Sequence, residues 1–163
     1  MCIRDSYRAA DIPAPRVGYV RLSINDEDWG LYALVETTDD VFLSRWFADS
    51  SGSLFEGDYG TDLTHDGLSE LEVDEGDGDL TALTAIADVL SSEASDANIA
   101  QLDRLMDLDR LLLNMGIEAA ILHWDGYTTA NNYRLYHDPR TDRVTLLPWG
   151  TDQTFISLSL IHI

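Results

Sequence analysis

The sequence predicts an α+β fold: a small β-hairpin and helix half, then a helical half with a C-terminal β-hairpin. Three observations carry that expectation. Strand-like alternation occupies residues 17–24 and 30–36, on either side of the turn-forming run Asn25-Asp26-Glu27-Asp28. Apolar residues recur at helical spacing between 80 and 122. Two more alternating runs, 132–138 and 143–149, flank the turn Pro139-Arg140-Thr141-Asp142.

Between these landmarks each element has a local reason. Thr38-Asp39-Asp40 offers an N-cap to a helix over 41–47, in which Phe42, Trp46 and Phe47 share a face. A short strand is expected over 53–56. From 57 to 79 glycine and acidic residues dominate and periodicity disappears, which reads as a loop or small irregular insertion. Leu80, Leu83, Ala87 and Leu90 then mark one helix, and Ile99, Leu102 and Met106 a second. Asp107 can cap a third, with Leu111, Leu112, Met115, Ala119 and Leu122 expected to face the core.

Composition bounds the function. A chain of 163 residues with 45% hydrophobic content has room for one domain and its core. Its net charge of −20 repels nucleic acid and anionic membranes, so neither is an expected partner. All ten basic residues are arginine. No apolar run reaches the roughly 18 residues needed to cross a bilayer, so no membrane insertion is expected.

The two ends stand apart. Residues 1–6 and 158–163 read as forward and reverse-complement translations of one transposase adapter used in library preparation. The natural segment is then 7–157, open at both ends. A buried strand over 158–163 is the alternative its apolar content allows. The single cysteine, Cys2, falls in the adapter stretch, so disulfide and thiolate chemistry are not expected.

The chemistry gathers at the last hairpin. With a symmetric four-residue turn, Asp138 pairs with Arg143, and counting outward brings Asn132 opposite Trp149. The open end then collects Asn131, Asn132, Gly150 and Asp152. Asp125, at the end of an apolar helix and beside Gly126, can be delivered to the same end. Carboxylates and amide oxygens without thiolates make a hard-cation set suited to magnesium or manganese. Magnesium takes few protein carboxylates and leaves positions for substrate phosphates, so the inventory fits nucleotide binding. Phosphoryl transfer asks for a carboxylate near the attacking hydroxyl and ligands that neutralise phosphate charge. Asp125 is the expected base, with Asp152 and Asn131 or Asn132 as metal ligands.

Each assignment has a plainer competitor. Asp125 can end the helix beside Gly126, Asp152 can be a turn acid, and the Asn pair can initiate a strand. His123 reads as a hydrogen-bonded residue at a helix end. The run Asp74-Glu75-Gly76-Asp77-Gly78-Asp79 hints at calcium but lacks the EF-hand glycine and glutamate spacing, so a solvated acidic loop is expected.

The motifs His123-Trp124-Asp125-Gly126-Tyr127, Asn131-Asn132-Tyr133-Arg134-Leu135-Tyr136 and Leu147-Pro148-Trp149-Gly150-Thr151-Asp152-Gln153-Thr154-Phe155 resemble the spore coat protein H (CotH) kinase family. Asn25, Gly30-Leu31-Tyr32, Val35-Glu36 and Phe42-Leu43 are similar to that family's amino-terminal hairpin and helix. The resemblance implies an incomplete protein-kinase-like fold: 7–57 as an N-lobe-like portion, 58–79 as an acidic loop, 80–157 as a C-lobe-like portion. It implies an atypical kinase using ATP with Mg2+ or Mn2+ on Ser/Thr of a protein substrate, secreted, at the cell surface or in the spore coat. It also implies a catalytic Asp at Asp125 and a metal Asp in the Pro-Trp segment.

There are departures. Many members carry Asp directly after Pro-Trp, where this chain has Gly150, which moves the metal role to Asp152. The phosphate-holding lysine of ordinary kinases has no counterpart here. An arginine in its place, an upstream basic group, or an inactive kinase-like binding or structural module are the alternatives. Glu36, at the end of a predicted strand, is the residue expected to orient that basic group or the cofactor; an exposed strand-end glutamate is its plainer reading.

Overall fold

The computed structural model describes residues 2–155. The stretch expected to be foreign at 158–163, and the strand alternative placed on it, lie outside the described residues. Among the described residues the fold is α+β, with six α-helices and two antiparallel sheets.

Helix α1 (Cys2–Ala9) spans the expected natural start at Tyr7, whose ring is fully buried against Ile12, Ala14 and Ile121. Strands β1 (Val17–Ile24) and β2 (Glu27–Val35) form a two-stranded ribbon. The turn is tighter than the expected four residues. Asn25 and Asp26 both adopt left-handed backbone at φ 52° and 64°, the two-residue geometry whose twist matches the flanking strands. A bulge between Leu22 and Ser23 absorbs the register shift.

Asp39 caps helix α2 (Asp40–Trp46) by accepting the Phe42 amide at 3.0 Å. Phe42, Leu43 and Phe47 bury against Leu54, Tyr136 and Leu147. Strand β3 (Leu54–Glu56) opens the larger sheet.

The region expected to be irregular is not. It holds helix α3 (His65–Leu68), capped by Thr64, and strand β4 (Glu72–Glu75), which pairs with β3. The pattern missed β4 because its sequence, Glu-Val-Asp-Glu, is mostly exposed at a sheet edge and carries no core-facing alternation. The acids there have protein partners. Asp74 pairs with Arg134 at 3.1 Å, Asp77 accepts the Ser53 hydroxyl at 2.8 Å, and Asp79 accepts the Thr81 amide and hydroxyl.

Helices α4 (Thr81–Ser91), α5 (Asp96–Leu105) and α6 (Leu108–Ala120) follow. Leu83, Ile86 and Ala87 of α4 enter the main core with Phe55, Tyr133, Leu135 and Val144. Several expected inward residues face out: Leu90, Ile99, Leu112 and Leu122 are all exposed. On α6 the fully buried residues are instead Asn114 and Glu118.

Strands β5 (Tyr133–Asp138) and β6 (Arg143–Pro148) complete the sheet in the order β4-β3-β5-β6. The expected register holds: Asp138 pairs with Arg143, and the Trp149 amide donates to the Asn132 carbonyl at 3.0 Å. Five of the six β6 residues are buried, as in a strand covered on both faces. The hairpin packs into the main core on one side and against α2 on the other, and its open end carries the candidate site.

Candidate kinase site

Asp125 follows α6 through a turn that begins at Leu122, in left-handed backbone at φ 53°. Its carboxyl is held by both asparagines. Asn131 Nδ2 donates to Oδ1 at 2.8 Å, and Asn132 Nδ2 donates to Oδ2 at 2.9 Å and to the Asp125 carbonyl at 2.7 Å. Asn132 itself sits at φ 48°, a conformation asparagine tolerates better than most residues. Its placement against β6 follows from the hairpin register, so the sequence pattern that set the register also set the first contact of the site.

Gly150 closes on this group from the other strand. A Cβ added to it would lie 2.2 Å from Asn132 Oδ1, and its φ of +50° is left-handed. The donor chemistry fits a hard divalent cation. Both amide nitrogens are committed to Asp125, which leaves the amide oxygens available as hard ligands, and the lack of a side chain at Gly150 keeps room at the Asn132 oxygen. Among the described residues no three His, Cys, Asp or Glu side chains are clustered as a ready-made metal site.

Asp152, two residues on, is exposed and lines a hollow of about 440 Å³. The β1–β2 ribbon roofs that hollow with Val17, Tyr19, Ala33 and Val35. The structure therefore joins Asp125, Asn131 and Asn132 directly, sets Gly150 against them, and places Asp152 beneath the ribbon.

Glu36 is elsewhere. Val17 and Val35 pair and face the Asp152 hollow, whereas Arg16 and Glu36 lie one residue further along, on the other side of the pleat. The Glu36 carboxyl accepts from the Arg16 backbone amide at 2.8 Å, Arg16 Nε and Nη2 at 3.0 and 2.7 Å, and Arg45 Nη1 and Nη2 at 2.8 and 2.6 Å. Desolvation raises its pKa, but the Arg45 and Arg16 donors outweigh that and hold it below the ordinary carboxylate value. Arg8, Arg16, Arg45 and Trp46 line a second hollow of about 400 Å³. Glu36 is thus ion-paired to two arginines on the side of the ribbon away from Asp152.

Two buried residues lie behind Asp125, and the first of them escaped the sequence reading. Glu118, 1% exposed, accepts from Asn114 Nδ2 at 3.0 Å, the Tyr127 amide at 3.1 Å and the Thr128 amide at 3.2 Å. His123, 2% exposed, was expected to find a hydrogen-bond partner for its ring, yet neither ring nitrogen has one in the protein. A signal was present: Asn114 and Glu118 are four apart in an apolar helix, on the face of Leu111 and Ile121.

Residues 3–159 match the profile of a class of kinase-like proteins, the one described as CotH kinase protein. The match takes in nearly the whole sequence, and the chain belongs to the CotH kinase family. No curated protein matches the chain.

Proposed function

We propose that this chain is the catalytic segment of an ATP- and metal-dependent protein kinase that phosphorylates serine or threonine hydroxyls. The observation that carries the reading is the Asp125 carboxyl held by two asparagine amides at the open end of a well-packed hairpin. Fixing a base in one orientation before substrate arrives is what general-base catalysis requires.

In the proposed reaction the acceptor oxygen forms a bond to the γ-phosphorus while the bond to the β–γ bridging oxygen breaks. ADP departs with that electron pair, and Asp125 takes the hydroxyl proton. Asp152 with Asn131 or Asn132 would hold Mg2+ or Mn2+, which when bound neutralises phosphate charge. Glu36 and its two arginines, on the face of the ribbon opposite the Asp152 hollow, have no part in the proposed transfer. The acceptor is a protein outside the cytoplasm, at a surface or spore coat, in keeping with the family's name.

Labelled γ-phosphoryl transfer from ATP with magnesium or manganese, using the complete natural chain, tests this. Asp125→Ala is expected to lower transfer by about 10²- to 10⁴-fold. Equal labelling by the variant sinks the assignment.

A second reading, a kinase-like binding or structural module without catalysis, is favoured by Gly150, which stands where many members carry an aspartate. ATP plus metal at about 100 times the dissociation constant should stabilise an active protein by roughly 2.7 kcal/mol. No thermal shift would favour the module.

A further inference from the structure

We infer that Glu118 is the positioning residue for Asp125, acting through the backbone of residues 126–128; the inference rests on the reading of Asp125 as the base. The side-chain hydrogen bonds to Asp125 come from its own loop, and the apolar side chain by which that loop packs against the main core is Tyr127. Something must hold the loop against α6, and the carboxyl of Glu118 does so.

The geometry runs in three steps. Glu118 accepts the amides of Tyr127 and Thr128, the first two residues of the 3-10 turn Tyr127–Thr129. Those amides begin a helical turn and have no partner within it, and the turn's own N-cap, Gly126, has no side chain to offer. The Gly126 carbonyl in turn accepts from the amides of Thr129 and Asn131 at 3.0 and 3.3 Å. Asn131, fixed by that bond, donates its side-chain amide to Asp125. A chain of hydrogen bonds thus links the buried carboxyl on α6 to the exposed end of the loop.

The packing beneath leaves no slack. A Cβ on Gly126 would stand 2.7 Å from Glu118 Oε1 and 2.8 Å from His123 Nδ1, so the loop lies directly on both side chains. Asn114 Nδ2 braces the carboxyl from one helical turn away. A carboxyl that is 1% exposed and accepts backbone amides of the loop next to the proposed base is costly unless every acceptor position is used. A purely apolar side chain would fill the same space without gripping the loop.

Two measurements on the complete natural chain test the inference. In the first, kcat and KM for ATP are read with dephosphorylated casein as acceptor, below the melting temperature of each variant. Glu118→Gln keeps an oxygen for one loop amide and loses the second acceptor; it is expected to lower kcat by about tenfold with KM for ATP unchanged. Glu118→Ala should lower kcat by about 10²-fold, the scale of a misplacement near 1 Å. In the second, water exchange of the Asn131 and Asn132 side-chain amides is followed by 15N NMR. Glu118→Gln should speed that exchange about tenfold, a readout that needs no catalysis and survives if Glu118→Ala does not fold.

Wild-type kcat and wild-type amide exchange in Glu118→Gln, alongside an inactive Asp125→Ala, overturn the inference and leave the base assignment standing. Undiminished transfer by Asp125→Ala overturns both. A fall in kcat matched by a proportional loss of folded protein reduces Glu118 to a structural role and overturns the positioning claim.

Discussion

Gly150 shows how one residue can bind a site together. Its left-handed φ of +50° is a conformation L side chains rarely adopt, and a Cβ there would meet Asn132 Oδ1 at 2.2 Å. Gly150→Ala therefore carries both backbone strain and a collision with the side chain that grips Asp125. We expect it to destabilise the chain by about 1–3 kcal/mol, measured by urea denaturation with unchanged slope. A neutral effect would mean that Asn132 swings aside, and Asp125 would lose one of its two amide partners. At this scale Asp125, Asn131 and Asn132 were legible in the sequence, because six or seven residues cannot carry the chain far from its starting point and a tight turn brings such neighbours together. Glu118 was legible only as half of a polar pair with Asn114 on an apolar helix face, and its role was not. An acid in an amphipathic helix reads as a solvated residue, and it takes the approach of the Tyr127 and Thr128 amides, nine and ten residues away, together with Asn114, to make its burial tolerable.

Among elements, the junction between the β1–β2 ribbon and α2 rests on one carboxylate. Glu36 follows β2, Arg16 precedes β1 and Arg45 lies in the last turn of α2, so a single side chain ties three elements together. Its side chain is only 13% exposed, which places it above an ordinary surface pair in worth. Glu36→Gln is expected to cost about 2 kcal/mol and to loosen the ribbon before the rest of the fold. Hydrogen exchange of β1 and β2 amides, set against those of β5 and β6, checks the order of loss. The pH dependence has a definite sign. Because the folded pKa of Glu36 is held below its ordinary value, its contribution is full above that ordinary value and is lost as pH falls through the depressed one. The ribbon of the wild-type chain should therefore loosen with acidification in the range below the usual glutamate pKa, and that acid-dependent step should disappear in Glu36→Gln. A ribbon whose exchange does not respond to acid would remove Glu36 from this role. Of these elements, the bounds of β1 and the α2 cap followed from alternation and capping chemistry, whereas β2 starts three residues earlier than alternation suggested because the turn is only two residues long. The face that α6 buries did not follow, because Leu111, Leu112 and Leu113 offer three adjacent apolar residues and only packing decides which turns inward.

For the molecule as a whole, charge dominates. Thirty acidic residues face ten arginines, giving −20, and at most ten of the acids can be matched one to one. The surplus repels itself in the compact state. Screening shortens the reach of that repulsion from about 30 Å at 0.01 M salt to about 8 Å at physiological ionic strength. We expect the melting temperature to rise with sodium chloride between those conditions, in scanning calorimetry or fluorescence melts, even though salt weakens individual ion pairs. A fall in melting temperature would show that pairs such as Glu36 with its arginines outweigh the general repulsion. No helix among the described residues is long and apolar enough to cross a membrane.

What the sequence alone determined is what neighbours along the chain dictate. It set the hairpin register from Asp138 and Arg143 outward, the caps at Asp39 and Asp107, the asparagines beside Asp125, and the motifs that place the chain in its family. Only the tertiary structure decided the rest. It folded the acidic stretch into an edge strand, set two arginines around Glu36, turned Asn114 and Glu118 inward, and placed Asp152 under the ribbon. The physical reason is range: turns, caps and pleats are settled by residues a few positions apart, whereas the burial of a polar group becomes favourable only when distant backbone arrives to share its hydrogen bonds.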